Sequence, residues 1–404
     1  MKLLRLLLVI IVVAVTSAQA QDTPKLTLQS ALELAGKQNL DLVAVRRRRA
    51  VTVAGIQIAR QRPNPTLSFE AMRDSPHQAL LFEQPLEIGS KRGRRIDVAR
   101  EEGVLTDVEI GLLARQIRRN TREAFYRALL ARAESERLAR VVQLAERLEQ
   151  IARDRFEAGD VPQLEVIQAG LEVSRAQADH QVAEQREKVS MSWLNALLNK
   201  PANTNWELAG RLEDAGAIPE LQELLDRARQ SNPELQHLGQ EQKIEESRRA
   251  LLKAERIPNL AVQVGSDFNA PPDFRAGPRG GLAMELPLFS RNQGQITQSL
   301  ATQQVLSAEA AAVERSVTAH IESGYFDIKA QQTQVELYSI KLLPVARQLE
   351  GLAEESYRSG KTSILTALQA QQKVQDVEQS YLQSLFALQS MLAGLEEAVG
   401  GPIE

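Results

Sequence analysis

The sequence predicts a mainly α protein with a small β part, built twice from one helix, strand, strand, helix, helix plan. Three observations predict it. Long proline-free tracts rich in Ala, Leu, Glu, Gln and Arg run between Pro85 and Pro162, Pro162 and Pro201, and Pro287 and Pro344. Two short regions, 64–90 and 259–289, instead alternate apolar and polar residues. And LFEQPLEIGSKRGRR (81–95) and MELPLFSRNQGQ (284–295) carry proline, leucine, a bulky apolar residue and a polar burst in the same order.

The elements follow in chain order. Residues 1–20 read as a secretory signal: Lys2 and Arg5 lead an apolar run from Leu6 to Val15, closed by Ala18-Gln19-Ala20. The run is short for a membrane span. The first structural repeat occupies 21–200, with strands at about 64–90 and a long helix at about 92–158. In that helix Leu138, Val141, Ala145, Leu148 and Ala152 step by three and four, a coiled-coil seam that Leu113, Ile117, Ala124 and Ala128 continue upstream. Such a helix is roughly 100 Å long at 1.5 Å per residue, so the molecule must be elongated. A linker at 201–217 leads to the second repeat, 218–404, with strands at about 259–289 and long helices at about 292–398.

The strands show period two. Leu67, Phe69 and Ala71 alternate with polar neighbours, as do Leu80, Phe82, Leu86 and Ile88, then Leu260, Val262 and Val264, then Leu282, Met284, Leu286 and Leu288. Loops are expected at 73–78 and 267–280. Five of the nine phenylalanines fall in these regions, which suits either an aromatic girdle at a membrane interface or a small half-buried sheet.

The duplication extends to the far ends of the helices. FEAGDVPQLEVIQA (156–169) aligns with YRSGKTSILTALQA (357–370), an offset of 201 that Phe125 and Phe326 share. RPNPTLSF (62–69) matches IPNLAVQV (257–264), and QNLDL (38–42) matches SNPEL (231–235). Each chain therefore offers four strands. A closed membrane barrel needs about eight or more, because open edges cannot sit in lipid, so strands of membrane length demand oligomerisation. Two chains would supply eight and three would supply twelve.

Composition excludes several classes. A net charge of −3 gives no pull toward nucleic acid, and the absence of cysteine excludes disulfides, thiolate metal sites, Cys nucleophiles and a lipid anchor on cysteine. His77, His180, His237 and His320 are scattered without metal-ligand spacing, so no metal site is expected. No phosphate-binding loop, GxSxG, HExxH or strand-following GxGxxG occurs, so neither an enzyme nor a cofactor is expected.

The duplicated plan, together with the tips Phe156…Gly159…Leu164 and Tyr357…Gly360…Leu365, resembles the TolC-like outer-membrane efflux family. FEQPLEIGSKRGRR (82–95) resembles its CzcC-type heavy-metal branch. The resemblance implies a homotrimer with a twelve-stranded barrel in the outer membrane of a Gram-negative bacterium and a helical tunnel in the periplasm. It implies docking on a periplasmic adaptor linked to a proton-driven RND-type inner-membrane pump. The expected function is export of heavy-metal cations. The alternatives are a drug, organic-solute or type I secretion channel and, in another class, a soluble periplasmic coiled-coil scaffold or adaptor.

Residue roles follow from that frame. Lys91, Arg92, Arg94 and Arg95 fall at the membrane–periplasm junction, where basic side chains reach lipid phosphates. Gly159 and Gly360 should end the long helices in left-handed caps. Phe156, Leu164, Tyr357 and Leu365 share those tips and are candidate adaptor contacts. The family's acidic gate positions correspond to Thr366 and Gln369, which are uncharged. The entrance charge is therefore assigned to Asp160 and Glu165, with Gln168 and Gln369 narrowing the opening. The alternative for Glu165 is a plain helix-start carboxylate. Pro344 should kink its helix, and Arg46 to Arg49 should be solvated.

Overall fold

The computed structural model describes residues 25–403; the signal segment expected at 1–20 lies outside the described residues. Strand β1 (Lys25–Thr27) leads into α1 (Leu28–Gln38) and α2 (Leu40–Ala59). The hairpin β2 (Thr66–Ala71) and β3 (Gln78–Leu86) follows. Helix α3 (Lys91–Glu157) then runs 67 residues and turns back as α4 (Gln163–Leu197). A connector carrying β4 (Glu207–Ala209) crosses to α5 (Leu221–Ser231), α6 (Pro233–Glu255), β5 (Leu260–Ala270) and β6 (Phe274–Met284). The chain ends in α7 (Gln293–Leu337), a π-helical turn (Tyr338–Leu342), α8 (Leu343–Arg358) and α9 (Ile364–Val399).

The two hairpins lie side by side in one antiparallel sheet of order β2-β3-β5-β6. Their outer strands, β2 and β6, are its two edges. The second hairpin is tighter than expected: residues 271–273 make its turn, most of the expected loop is strand, and Leu286 and Leu288 fall beyond β6. A second, parallel pair joins β1 to the inter-repeat connector, with Leu26 opposite Leu208.

One asparagine per repeat sets the helical packing around the middle of the molecule. Asn39 Oδ1 accepts from Asp41 N at 3.1 Å and Leu42 N at 3.2 Å, while its Nδ2 donates to Leu197 O at 3.1 Å. Asn232 repeats the set with Glu234 N, Leu235 N and Ala398 O at 3.0, 3.1 and 2.8 Å. Each side chain thus starts one helix and clasps the carbonyl end of a long returning helix, satisfying orphan groups at both ends. Around these clasps pack Phe125, Leu129, Leu194 and Leu198 in one cluster, and Ile321, Ile328, Leu388 and Leu392 in another.

The repeat register changes along the long helices. Tyr357 lies 201 residues after Phe156, yet the buried Thr121 and Ala128 correspond to the buried Ile321 and Ile328, 200 residues on. The edge-to-face pair Phe125–Tyr126, at 5.8 Å, likewise corresponds to Tyr325–Phe326, at 5.5 Å. Phe125 therefore matches Tyr325, not Phe326. The π turn absorbs the extra residue of the second repeat. Pro344 follows in the first turn of α8, so the disturbance expected from its missing N–H takes the form of a widened turn.

Asn39→Ala and Asn232→Ala should each cost about 1–3 kcal/mol, because each strands helix-end groups at once. Denaturant unfolding measures this, and a loss within a few tenths of a kcal/mol would show that the clasps are dispensable.

Candidate functional site

Three regions concentrate the unusual side chains: the sheet, the junction below it and the far tip. On the sheet, one face carries Leu67, Phe69, Leu80, Phe82, Val262, Val264 and Leu282, while the other carries Ser68, Glu70, Glu83, Gln263, Asp267 and Arg279. Leu67, Phe69, Phe82, Val264 and Leu282 are exposed. The polar face is internally bonded: Gln263 Nε2 donates to Glu83 Oε2 at 2.6 Å, and Arg279 lies 3.7 Å from Asp267. Apolar outside and polar inside, with period two, is the pattern of a strand between lipid and a wet lumen.

At the junction, Gly89 and Ser90 take left-handed conformations, φ 77° and 61°. A Cβ on Gly89 would sit 2.5 Å from Ile257 Cδ1, so glycine is required for the strand to turn into α3. The basic run that follows is used internally. Lys91 is buried, and its Nζ donates to Asn259 Oδ1 at 2.6 Å. Arg92 Nε donates to Arg60 O at 2.8 Å. Arg95 donates to Ala59 O and Gln61 O at 3.1 and 2.9 Å and binds both oxygens of Glu87 at 2.6 and 3.2 Å. These carbonyls close the C-terminal end of α2, where unpaired C=O groups and the helix dipole favour cations. The lipid-phosphate role expected of Lys91 and Arg95 is therefore corrected: they fasten the strands to the helices. Arg94 alone of the four is exposed with no closer partner than Asp97, at 3.7 Å.

At the tip, Gly159 and Gly360 have φ 80° and 75°. Asp160 N bonds Arg155 O and Lys361 N bonds Ser356 O, both at 2.9 Å, which closes a Schellman cap at each turn. The caps are followed by α4 and α9. Tyr357 is fully buried between the two turns, packed on Leu148, Ala152, Ile364 and Ala367. Its hydroxyl donates to Glu165 Oε2 at 3.0 Å, and Arg155 stacks 5.0 Å from its ring while donating to its carbonyl at 3.0 Å. Burial, and next the bond to Glu165, push the Tyr357 hydroxyl up to about 12. Direct adaptor contact by Tyr357 is thus excluded; its ring holds the two turns together. Phe156, Leu164 and Leu365 are exposed, as are Asp160, Gln168, Thr366 and Gln369.

Sequence reasoning missed Arg155 and the buried pair Arg122–Glu396 at 2.8 Å, which lie in uniform helical tracts without a local signal. It also gave no role to Asn39, Asn232 and Asn259, although each falls in a repeated segment. Among the described residues no cluster of His, Cys, Asp or Glu could hold a metal ion, and no helix is long and apolar enough to cross a membrane.

Duplicated helical hairpins of this length, carrying an amphipathic sheet whose two edges are unpaired among the described residues, define an outer-membrane channel chain. The chain belongs to the outer membrane efflux protein family, whose model matches residues 31–200 and 224–401. It is 27% identical over 368 residues to the cobalt-zinc-cadmium resistance protein CzcC of Cupriavidus metallidurans, covering 88% of this chain and 86% of that protein. Among solved structures it is similar to CusC, with a TM-score of 0.76, 13% identity and coverage of 93% of this chain and 92% of that one. It is also similar to the outer membrane protein VceC of Vibrio cholerae, with a TM-score of 0.75, 16% identity and coverage of 93% and 97%.

Tyr357 has a folded pKa above its unfolded value near 10, so its contribution is complete below about pH 10 and is lost as the pH rises toward about 12. Tyrosinate absorbance should show a late-titrating fraction that shrinks by one group in Tyr357→Phe, leaving Tyr381, which burial also raises; full titration of the wild type near pH 10 would contradict the buried bond. Arg95→Leu should cost about 2–4 kcal/mol, since it leaves Glu87 and two helix-end carbonyls without their donor. A loss under about 1 kcal/mol in thermal unfolding would refute the fastening role.

Proposed function

We propose that this efflux channel works as a homotrimer exporting divalent heavy-metal cations across the outer membrane. It would be fed by a periplasmic adaptor and an inner-membrane proton-driven pump. One observation carries the assembly: a four-stranded sheet with an apolar outer face and free edges at β2 and β6. In hydrocarbon such edges must be paired, and pairing β6 of one copy with β2 of the next closes a ring. Three copies would give twelve strands. The cargo class is supported by similarity, over most of both chains, to a protein named for cobalt, zinc and cadmium resistance.

At the entrance, Asp160 is exposed and uncommitted, whereas Glu165 is tied to Tyr357. Asp160 then supplies the field that favours cations, and Glu165 holds the tip in shape while contributing charge. Gln168, Thr366 and Gln369 line the opening without charge, and the exposed Phe156, Leu164 and Leu365 offer the adaptor its apolar contacts.

Loss of the chain should lower metal tolerance several-fold, as measured by the growth-inhibiting concentrations of zinc, cobalt and cadmium salts, with drug tolerance unchanged. The reverse pattern would overturn the cargo assignment. In planar bilayers Asp160→Asn should reduce cation preference while a conducting pore remains; unchanged selectivity would remove Asp160 from the entrance.

A further inference from the structure

The internal contact between α3 and α9 has a counterpart with one side missing. One repeat on, α3 corresponds to α7 and α8, and α9 corresponds to α4 with a constant offset of 201, as Leu164 with Leu365 and Leu197 with Ala398. Leu144 and Ile151 of α3 pack with Ile364 and Leu368 of α9. Their counterparts on α8, Val345 and Leu352, are 64% and 59% exposed, although Leu144 itself is 5% exposed. Ile167, the α4 counterpart of Leu368, is 61% exposed. Within the chain α4 makes no extensive contact with α7 or α8.

Side-chain volume is exchanged between the filled and the unfilled contact. Nearer the sheet, a cleft of about 580 Å³ has Leu112 and Arg119 on its α3 wall and Ser390 and Gly394 on its α9 wall. Arg119 crosses it to Glu397 at 2.7 Å. Above the π turn the α3-to-α7 offset is 200, so Leu112 and Arg119 become Ala312 and Ala319. Ser390 and Gly394 become Val189 and Trp193 on α4. Large residues on α3 face small ones on α9; small ones on α7 await large ones on α4. Trp193 is 68% exposed and Val189 57% exposed in the single chain.

We infer that a second copy of this chain covers these faces, with Trp193 of one copy seated over Ala312 and Ala319 of α7 in the next. The contact is head to tail: α4 of one copy meets α7 and α8 of its neighbour, so it closes a ring without using the same patch twice. A tryptophan set into a pocket of small residues is the kind of anchor that carries interface energy. This inference rests on the ring proposed above and adds the helical seam that seals it.

The test exchanges the volumes in the full-length protein, with oligomer mass read in detergent. Ala319 is exposed, so Ala319→Arg leaves the single chain able to fold. It should cut the assembled fraction at least about tenfold by colliding with Trp193, and Ala319→Arg with Trp193→Gly should restore part of it by returning the volume the arginine takes, without the ion pair, since the α4 counterpart of Glu397 is Ala196. Normal assembly of Ala319→Arg, or a double variant no better than the single one, would overturn the seam while leaving the ring intact. A wild-type protein that never assembles would remove the ring and the seam together.

Discussion

The peptide groups along the outer edges of β2 and β6 have no strand partner within the described chain, and hydrocarbon offers them none. Each unpaired N–H or C=O in lipid costs several kcal/mol, far more than a surface edge costs in water. That penalty organises the molecule. It explains why the exposed apolar side chains of the sheet sit on one face and the bonded polar pairs on the other. In the proposed assembly it also accounts for why a chain of this length devotes so few residues to strands: copies of itself would supply the remainder. The duplication would then be economical, because one helix–strand–strand–helix–helix unit used repeatedly around the proposed ring would make both wall and barrel.

Polar chemistry is concentrated where regular structure is interrupted. Lys91, Arg92 and Arg95 fasten the last strand turn to the end of α2 and to Asn259, so the sheet cannot swing freely on the helices. Asn39 and Asn232 tie the returning helices at their carbonyl ends. Tyr357, Glu165 and Arg155 bind the two distal turns. Between these ties the helices are held by seams of Ala, Leu and Val, whose packing is non-directional.

Element type and order were legible because period and composition are long-range signals. Sixty-seven residues without proline leave little choice but helix, and strict alternation around Phe69, Phe82 and Val264 leaves little choice but strand. The repeat was legible at the tips, where glycine and an aromatic residue are needed by geometry. Partners were not. The burst KRGRR looks alike whether it meets phosphates or carbonyls, since the deciding groups at Ala59, Arg60 and Gln61 are backbone oxygens. The one-residue shift between Phe125 and Tyr325 was hidden because a π turn leaves no compositional mark beyond Pro344 nearby. Glu165 was singled out for its charge, but its bond to Tyr357 spans 192 positions and has no trace in local sequence.

Cysteine cross-linking across the sheet edges tests the central claim most directly, since the chain has no cysteine of its own. One cysteine replaces Ser68 on β2 and a second is scanned along the inward-facing positions of β6, Gly277, Arg279 and Gly281. Oxidation in outer membranes should give a covalent ladder that ends at a closed trimer for one register and fails for the others. A protein that stays monomeric at every register would contradict the account.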